Sequence, residues 1–155
     1  MEIHSALYNS EYSPKPIHIH LLAWCINPYD KFLNKEFYKK NKKDKINRVI
    51  PDRDFEKVIN FMSDYSLIGI AHPARYIEST GTKKADYIKD LLQKYKQHNK
   101  NDISFVEGYY QVYPYHVTYD EKFEEFLKFI NKEAQAQGIC RTGSTDVHGF
   151  SLFTN

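Results

Sequence analysis

At 155 residues, 41% hydrophobic and 27% charged, the chain is expected to form a single domain over 1–155 with a genuine core. A formal net charge of +2 is too small to argue for nucleic acid as a partner. With a mean hydropathy of −0.66, no run approaches the roughly 18 apolar residues that a membrane helix needs. The first residues lack the basic start and apolar centre of a signal peptide, so a cytoplasmic protein is expected. Cys25 and Cys140 each sit in an apolar run without metal-ligand spacing, which predicts two buried free thiols.

Residues 2–7 read as a strand, or as the last residues of one. Residues 9–16 carry turn chemistry, with Asn9, Ser13, Pro14 and Pro16. Residues 17–26 form a strong strand pattern, first alternating and then continuously apolar, which suits a strand of a parallel sheet covered on both faces. Asn27-Pro28 ends it. A Lys-rich helix is expected over 30–43, although its patterning is poor. The basic run Lys39, Lys40, Lys42, Lys43, Lys45 and Arg48 reads as a solvated loop in preference to a phosphate-tracking patch.

Pro51-Asp52 opens a helix whose Phe55, Val58, Ile59 and Met62 share one buried face. Residues 67–71 follow as a short buried strand. Thr82 can cap the next helix, in which Ile88, Leu91, Leu92 and Tyr95 repeat the spacing. Residues 103–110 are a further strand. Thr118 and Glu121 form a capping box for a helix lined by Phe123, Phe126, Leu127 and Ile130, which Gly138 can end. Residues 139–141 are the last strand. Strand and helix alternate, so the pattern predicts parallel βαβ units with the site at the carboxyl edge of the sheet.

The unusual residues fall after strands. Asp146 and His148 are one residue apart, so an extended backbone turns both toward one side, and Gly143 and Gly149 let the chain bend there. The same pair also suits an ordinary polar turn. His72 precedes Pro73, which predicts an extended backbone and a ring aimed out of the sheet edge. Arg75, nearby, suits an anionic phosphate ester, though an arginine at a loop end commonly forms a surface ion pair. His18 and His20 share a strand face and form either a two-imidazole metal edge or a polar edge. Glu107 and His116 lie near a strand that could line a site, and supporting or core roles are expected for them. Tyr109, Tyr110, Tyr113 and Tyr115 suit either packing at a strand end or stacking on a base.

Taken together, several stretches resemble the polymerase and histidinol phosphatase (PHP) family of metal-dependent phosphoesterases. Glu2-Ile3 looks like that family's "G-x-E-I" strand end. His20-Leu21-Leu22-Ala23-Trp24 with Ile26-Asn27 is similar to its "H-h-L-G-Y…I-D" strand, where h is apolar. Ala71-His72-Pro73 matches "AHP". Val106-Glu107-Gly108-Tyr109-Tyr110 through Tyr113-Pro114-Tyr115-His116 resembles "G-x-E-x-Y-Y-P". Thr142-Gly143-Ser144-Thr145-Asp146-Val147-His148-Gly149 is similar to "T-G-G-S-D-F-H-G". The resemblance implies an incomplete, distorted (β/α)7 TIM-like barrel with about five parallel strands and helices outside. It implies Glu2, His20, His72, Asp146 and His148 as metal ligands, divalent Zn, Mn or Fe in a number it leaves open, and Arg75 at the substrate. The expected activity is hydrolysis of a small phosphate ester or nucleotide by a metal-activated water.

The family's opening "D-x-H-x-H" strand has no counterpart here, so the chain looks like the carboxyl-terminal five-strand portion of such a domain, truncated at the N-terminus. Two readings follow. One is a working PHP-type hydrolase. The other is a non-catalytic PHP remnant or binding module, with a partial metal site and exposed sheet edges through which copies could associate. A nucleic-acid-binding module, resting only on the lysines and tyrosines, ranks last.

Overall fold

The computed structural model describes residues 2–8, 11–27, 29–31, 38–40, 47–49, 53–74, 84–110 and 121–144. The elements are β1 (Glu2–Leu7), β2 (Ile17–Trp24), β3 (Tyr38–Lys40), β4 (Asn47–Val49), α1 (Phe55–Met62), β5 (Leu67–Ile70), α2 (Lys84–His98), β6 (Phe105–Tyr110), α3 (Glu121–Ala136) and β7 (Cys140–Ser144). Five strands form one sheet in the order β1-β2-β5-β6-β7, and β3 and β4 pair separately. The architecture is α/β, but the sheet is mixed rather than parallel. β2 runs antiparallel to both β1 and β5, while β5, β6 and β7 are parallel. The cause is covalent reach: residues 8–16 are too few for the crossover of a dozen or more residues that a parallel β1–β2 pair requires.

The parallel half follows the expected rhythm. α2 carries the chain from β5 to β6, and α3 from β6 to β7. Successive right-handed crossovers in one direction put both helices on the same face of the sheet. α1 packs beside α2 and against β1 and β5. The core lies between these helices and one sheet face, with Ile3, Ile19, Leu21, Ile68, Ile70 and Val106 meeting Phe55, Ile59, Leu91, Leu92 and Ile130.

The helical faces match their sequence spacing. Phe55, Val58, Ile59 and Met62 are buried on α1, and Ile88, Leu91, Leu92 and Tyr95 on α2. The capping residue of α1 is Asp54, whose Oδ1 accepts the Lys57 N–H at 3.0 Å. The expected caps Thr82 and Thr118 lie outside the described residues. Gly138 follows α3 at φ +67°, the left-handed position at which helices commonly end.

Three local expectations are overturned. Within the helix expected over 30–43, Tyr38–Lys40 is a strand paired with Asn47–Val49, so two pieces of the basic stretch form an antiparallel ladder. β2 alternates in burial instead of being covered twice: Ile17, Ile19, Leu21 and Ala23 are buried, while His18 and Trp24 are exposed. Its continuous apolar run arises because Trp24, on the face away from the helices, stacks on the Phe105 ring at 4.5 Å. Finally, both thiols are exposed. Cys25 lies just past β2 at φ +60°, and Cys140 pairs with Phe105 on the helix-free face of β7. No helix among the described residues is long and apolar enough to cross a membrane.

Two contacts tie the middle of the sheet together. The buried Tyr95 hydroxyl donates to the Ile68 carbonyl at 2.6 Å and accepts the Phe105 N–H at 2.9 Å, linking α2 to β5 and β6. Gly69 leaves the space into which Phe105 fits, since a Cβ there would lie 2.2 Å from the ring. Tyr95→Phe orphans two buried backbone groups and is expected to lower stability by about 1–3 kcal/mol in urea unfolding. Gly69→Ala should cost about 1–3 kcal/mol by overpacking, and adding Phe105→Leu should return part of that loss.

Candidate functional site

On the face of the sheet away from the helices, one level carries an unusual row of side chains. His4 on β1 is directly opposite His20 on β2. The Ala71 N–H, just past β5, donates to the His20 carbonyl at 2.9 Å, which brings His72 to the same level. On β6, Glu107 is in register with Thr142 of β7. Elements from every strand of the sheet therefore meet along a single line.

The geometry of the row is close. His72 Nε2 lies 2.9 Å from His20 Nδ1, with the rings nearly perpendicular at 84°. His4 stacks on the other side of His20, with centroids 4.1 Å apart and planes inclined by 18°. His72 is 2% exposed and Glu107 4%. Glu107 Oε2 accepts the main-chain N–H of His72 at 2.8 Å and lies 3.4 Å from its Nδ1. The β6–β7 register shifts between Glu107 and Tyr109, a bulge that begins at the acidic residue. Bulges of this kind re-aim side chains at sheet margins and beside active sites.

His72 departs from the conformation expected before a proline. Its φ is +27°, so the backbone is not extended and the ring turns inward, beneath 2% exposure. A non-glycine residue in such a region costs about 1–3 kcal/mol and persists where its surroundings over-determine it. The bond from its N–H to Glu107 is one such restraint.

Of the expected ligands, His20 and His72 come together although 52 residues separate them. Glu2 does not end a strand but begins β1, with its backbone opposite Leu22, two register positions from the His4–His20 pair. That is about 7 Å along the strand. Arg75, Asp146, His148 and His116 lie outside the described residues. Among the described residues, no group of three or more His, Cys, Asp or Glu side chains has the geometry of a metal site. Imidazole nitrogens are nevertheless donors of the kind a divalent cation takes. Two imidazole nitrogens held tetrahedrally at about 2.0–2.1 Å from one ion lie about 3.3–3.4 Å apart, so the 2.9 Å approach is a hydrogen-bonding separation that would open slightly around a cation.

One member of the row, His4, escaped the sequence reading, and Glu107 was expected only in a supporting or core role. Glu107 stands alone as a carboxylate in the apolar run Phe105-Val106-Glu107, and a charge within a covered strand demands a partner. His4 could have been placed opposite His20 by pairing residues 2–7 with 17–24 across a short turn.

A second ionisable group lies where the turn before β2 meets α2. The Tyr12 and Tyr87 rings touch edge-on at 5.6 Å. Burial, then the neighbouring Asp90, pushes the Tyr12 hydroxyl up to about 12 and raises that of Tyr87 as well. This contact clasps the turn to the helix layer.

Comparison with known proteins identifies no relative: no protein-family model, no curated protein and no solved structure matches the chain.

A double-mutant cycle of His20→Ala and His72→Ala, unfolded in urea with chelator present, should give a coupling of about 0.5–1.5 kcal/mol. Additive losses would mean that the two rings do not interact.

Proposed function

We propose that the chain is a metal-dependent phosphoesterase of the PHP type, acting on a small phosphate ester or a nucleotide. The single observation behind this reading is the approach of His20 Nδ1 to His72 Nε2 at 2.9 Å, because these were two of the residues expected to share a cation. In this proposal the sheet corresponds to part of a PHP-type barrel, with β5, β6 and β7 as its parallel strands.

His20 and His72 are the proposed imidazole ligands. Asp146 and His148, on the segment after β7, are the proposed carboxylate and third imidazole, and Glu2 is a further member. Arg75, three residues beyond His72, is proposed to pair with the phosphoryl oxygens through its planar guanidinium. A divalent ion bound here would supply Lewis-acid chemistry, activating water and screening the phosphoryl oxygens, and imidazole with carboxylate suits Zn, Mn or Fe.

A second reading, a non-catalytic PHP-like binding module with a partial site, also has an observation in its favour. The two imidazoles are within hydrogen-bonding distance of each other, so they can satisfy one another without a cation. Turnover separates the two readings.

Purified protein supplied with Zn or Mn is expected to retain metal and to hydrolyse an aryl phosphate, with chelator abolishing the activity. His20→Ala and His72→Ala should each lower kcat/KM by about 10–100-fold or more, since substitutions one shell further out already cost that much. Metal retained without hydrolysis would leave the binding-module reading, and no retained metal at stoichiometric supply would remove both.

A further inference from the structure

Glu107 is a carboxylate buried inside a sheet, and it touches His72 twice. Its Oε2 accepts the His72 main-chain N–H at 2.8 Å and faces the Nδ1 of the same residue at 3.4 Å. The two contacts act on different things. The first restrains the backbone where φ is +27°, a conformation that neither histidine nor the following Pro73 favours. The second acts on the ring. At 3.4 Å the contact is longer than an ordinary hydrogen bond, but its electrostatics still choose between tautomers. A lone pair on Nδ1 would face a carboxylate oxygen and be repelled, whereas an Nδ1–H would be attracted.

A proton on Nδ1 leaves Nε2 with its lone pair, and Nε2 is the nitrogen that lies 2.9 Å from His20 Nδ1. We infer that Glu107 is a positioning residue: it holds His72 as the Nδ1–H tautomer, with the Nε2 lone pair presented to the His20–His72 gap. The bulge that begins at Glu107 lets β6 deliver this side chain to His72 while β7 stays paired beyond it. The cationic role of the gap rests on the function proposed above; the tautomer does not. A carboxylate behind a histidine is a general device for orienting the ring and raising the basicity of the other nitrogen, and its loss costs about 10–100-fold in metal affinity.

The experiment compares wild type, Glu107→Ala and Glu124→Gln, the last altering an exposed carboxylate on α3 that pairs with Lys128. Nitrogen-15 chemical shifts of the histidine rings in metal-free protein report the tautomer, and Zn titration against a competing chelator reports affinity. In wild type, His72 should be the Nδ1–H form. Glu107→Ala removes the oxygen that lies against Nδ1, so the Nε2–H form should appear and Zn affinity should fall about 10–100-fold. Glu124→Gln should match wild type in both measurements.

Should wild-type His72 already be the Nε2–H form, the inference is overturned, and that result needs no variant to fold. An unchanged tautomer in a folded Glu107→Ala protein overturns it equally. If wild type binds no Zn but the tautomer follows Glu107, the positioning role stands and the metal-dependent function falls. If Zn binds tightly in both proteins while the tautomer stays fixed, the function survives and the role of Glu107 does not.

Discussion

A carboxylate enclosed within a sheet is tolerated where protein donors replace the water it has given up; unpaired, it costs several kcal/mol. Glu107 meets that requirement through the N–H of His72, 35 residues earlier in the chain. The bond forms where β5 gives way to the following loop, so the burial of one residue and the backbone conformation of the other are a single constraint. The φ of +27° at His72 runs against local preference, and long-range contact is what sustains it. The approach of His72 to His20 depends on this contact, because it restrains the backbone that places the His72 ring.

The sheet that carries the row has two unlike faces. Toward the helices, Ile3, Ile19, Leu21, Ile70 and Val106 form a continuous apolar layer. On the opposite face, His4, His20, Phe105 and Glu107 take the alternate positions of the same strands. The period of two assigns each side chain to a face, and the strand registers decide which of them become neighbours. A slip of one residue in the β1–β2 pairing would turn His4 into the core and bring Ile3 or Ser5 beside His20. The apolar layer therefore protects the histidine alignment, since any such slip would strip the core of its aliphatic residues.

How much of this was legible beforehand depends on whether the signal was local. The helices were, because Phe55, Val58, Ile59 and Met62, or Ile88, Leu91, Leu92 and Tyr95, define a face by spacing alone. The proximity of His20 and His72 was reached through resemblance to a family, and no property of either segment alone predicts it. The direction of β2 was missed because an apolar run reads the same way up or down; the shortness of the link over 8–16 was the decisive fact. His72 was expected to be extended because the rule for residues before proline is local, and here a tertiary contact outweighed it. Glu107 left a legible trace, a lone charge in an apolar strand, but its partner lay in another strand's loop. The free thiols show the same limit: apolar neighbours predict burial only when the residue's own side of the strand is covered, and Cys140 is on the uncovered side.

The reversal of β2 has a consequence for how the two imidazoles are held. In a wholly parallel sheet, functional side chains come mainly from the loops after strand ends, where the backbone is adjustable. Here His20 comes from the middle of an eight-residue strand, paired on both sides, while His72 comes from a loop start. One ring is set by ladder hydrogen bonds and by stacking on His4, the other by a bond to a buried carboxylate. A site of this kind is rigid on one side and tunable on the other. Changes around β1 and β2 would alter whether the sheet forms at all. Changes around Glu107, its bulge and the turn at His72–Pro73 would shift the spacing and orientation of the two rings while leaving the helix-covered core intact. Any adjustment of the chemistry of this face is therefore concentrated at β6 and the end of β5, where a strained backbone and a buried charge already meet.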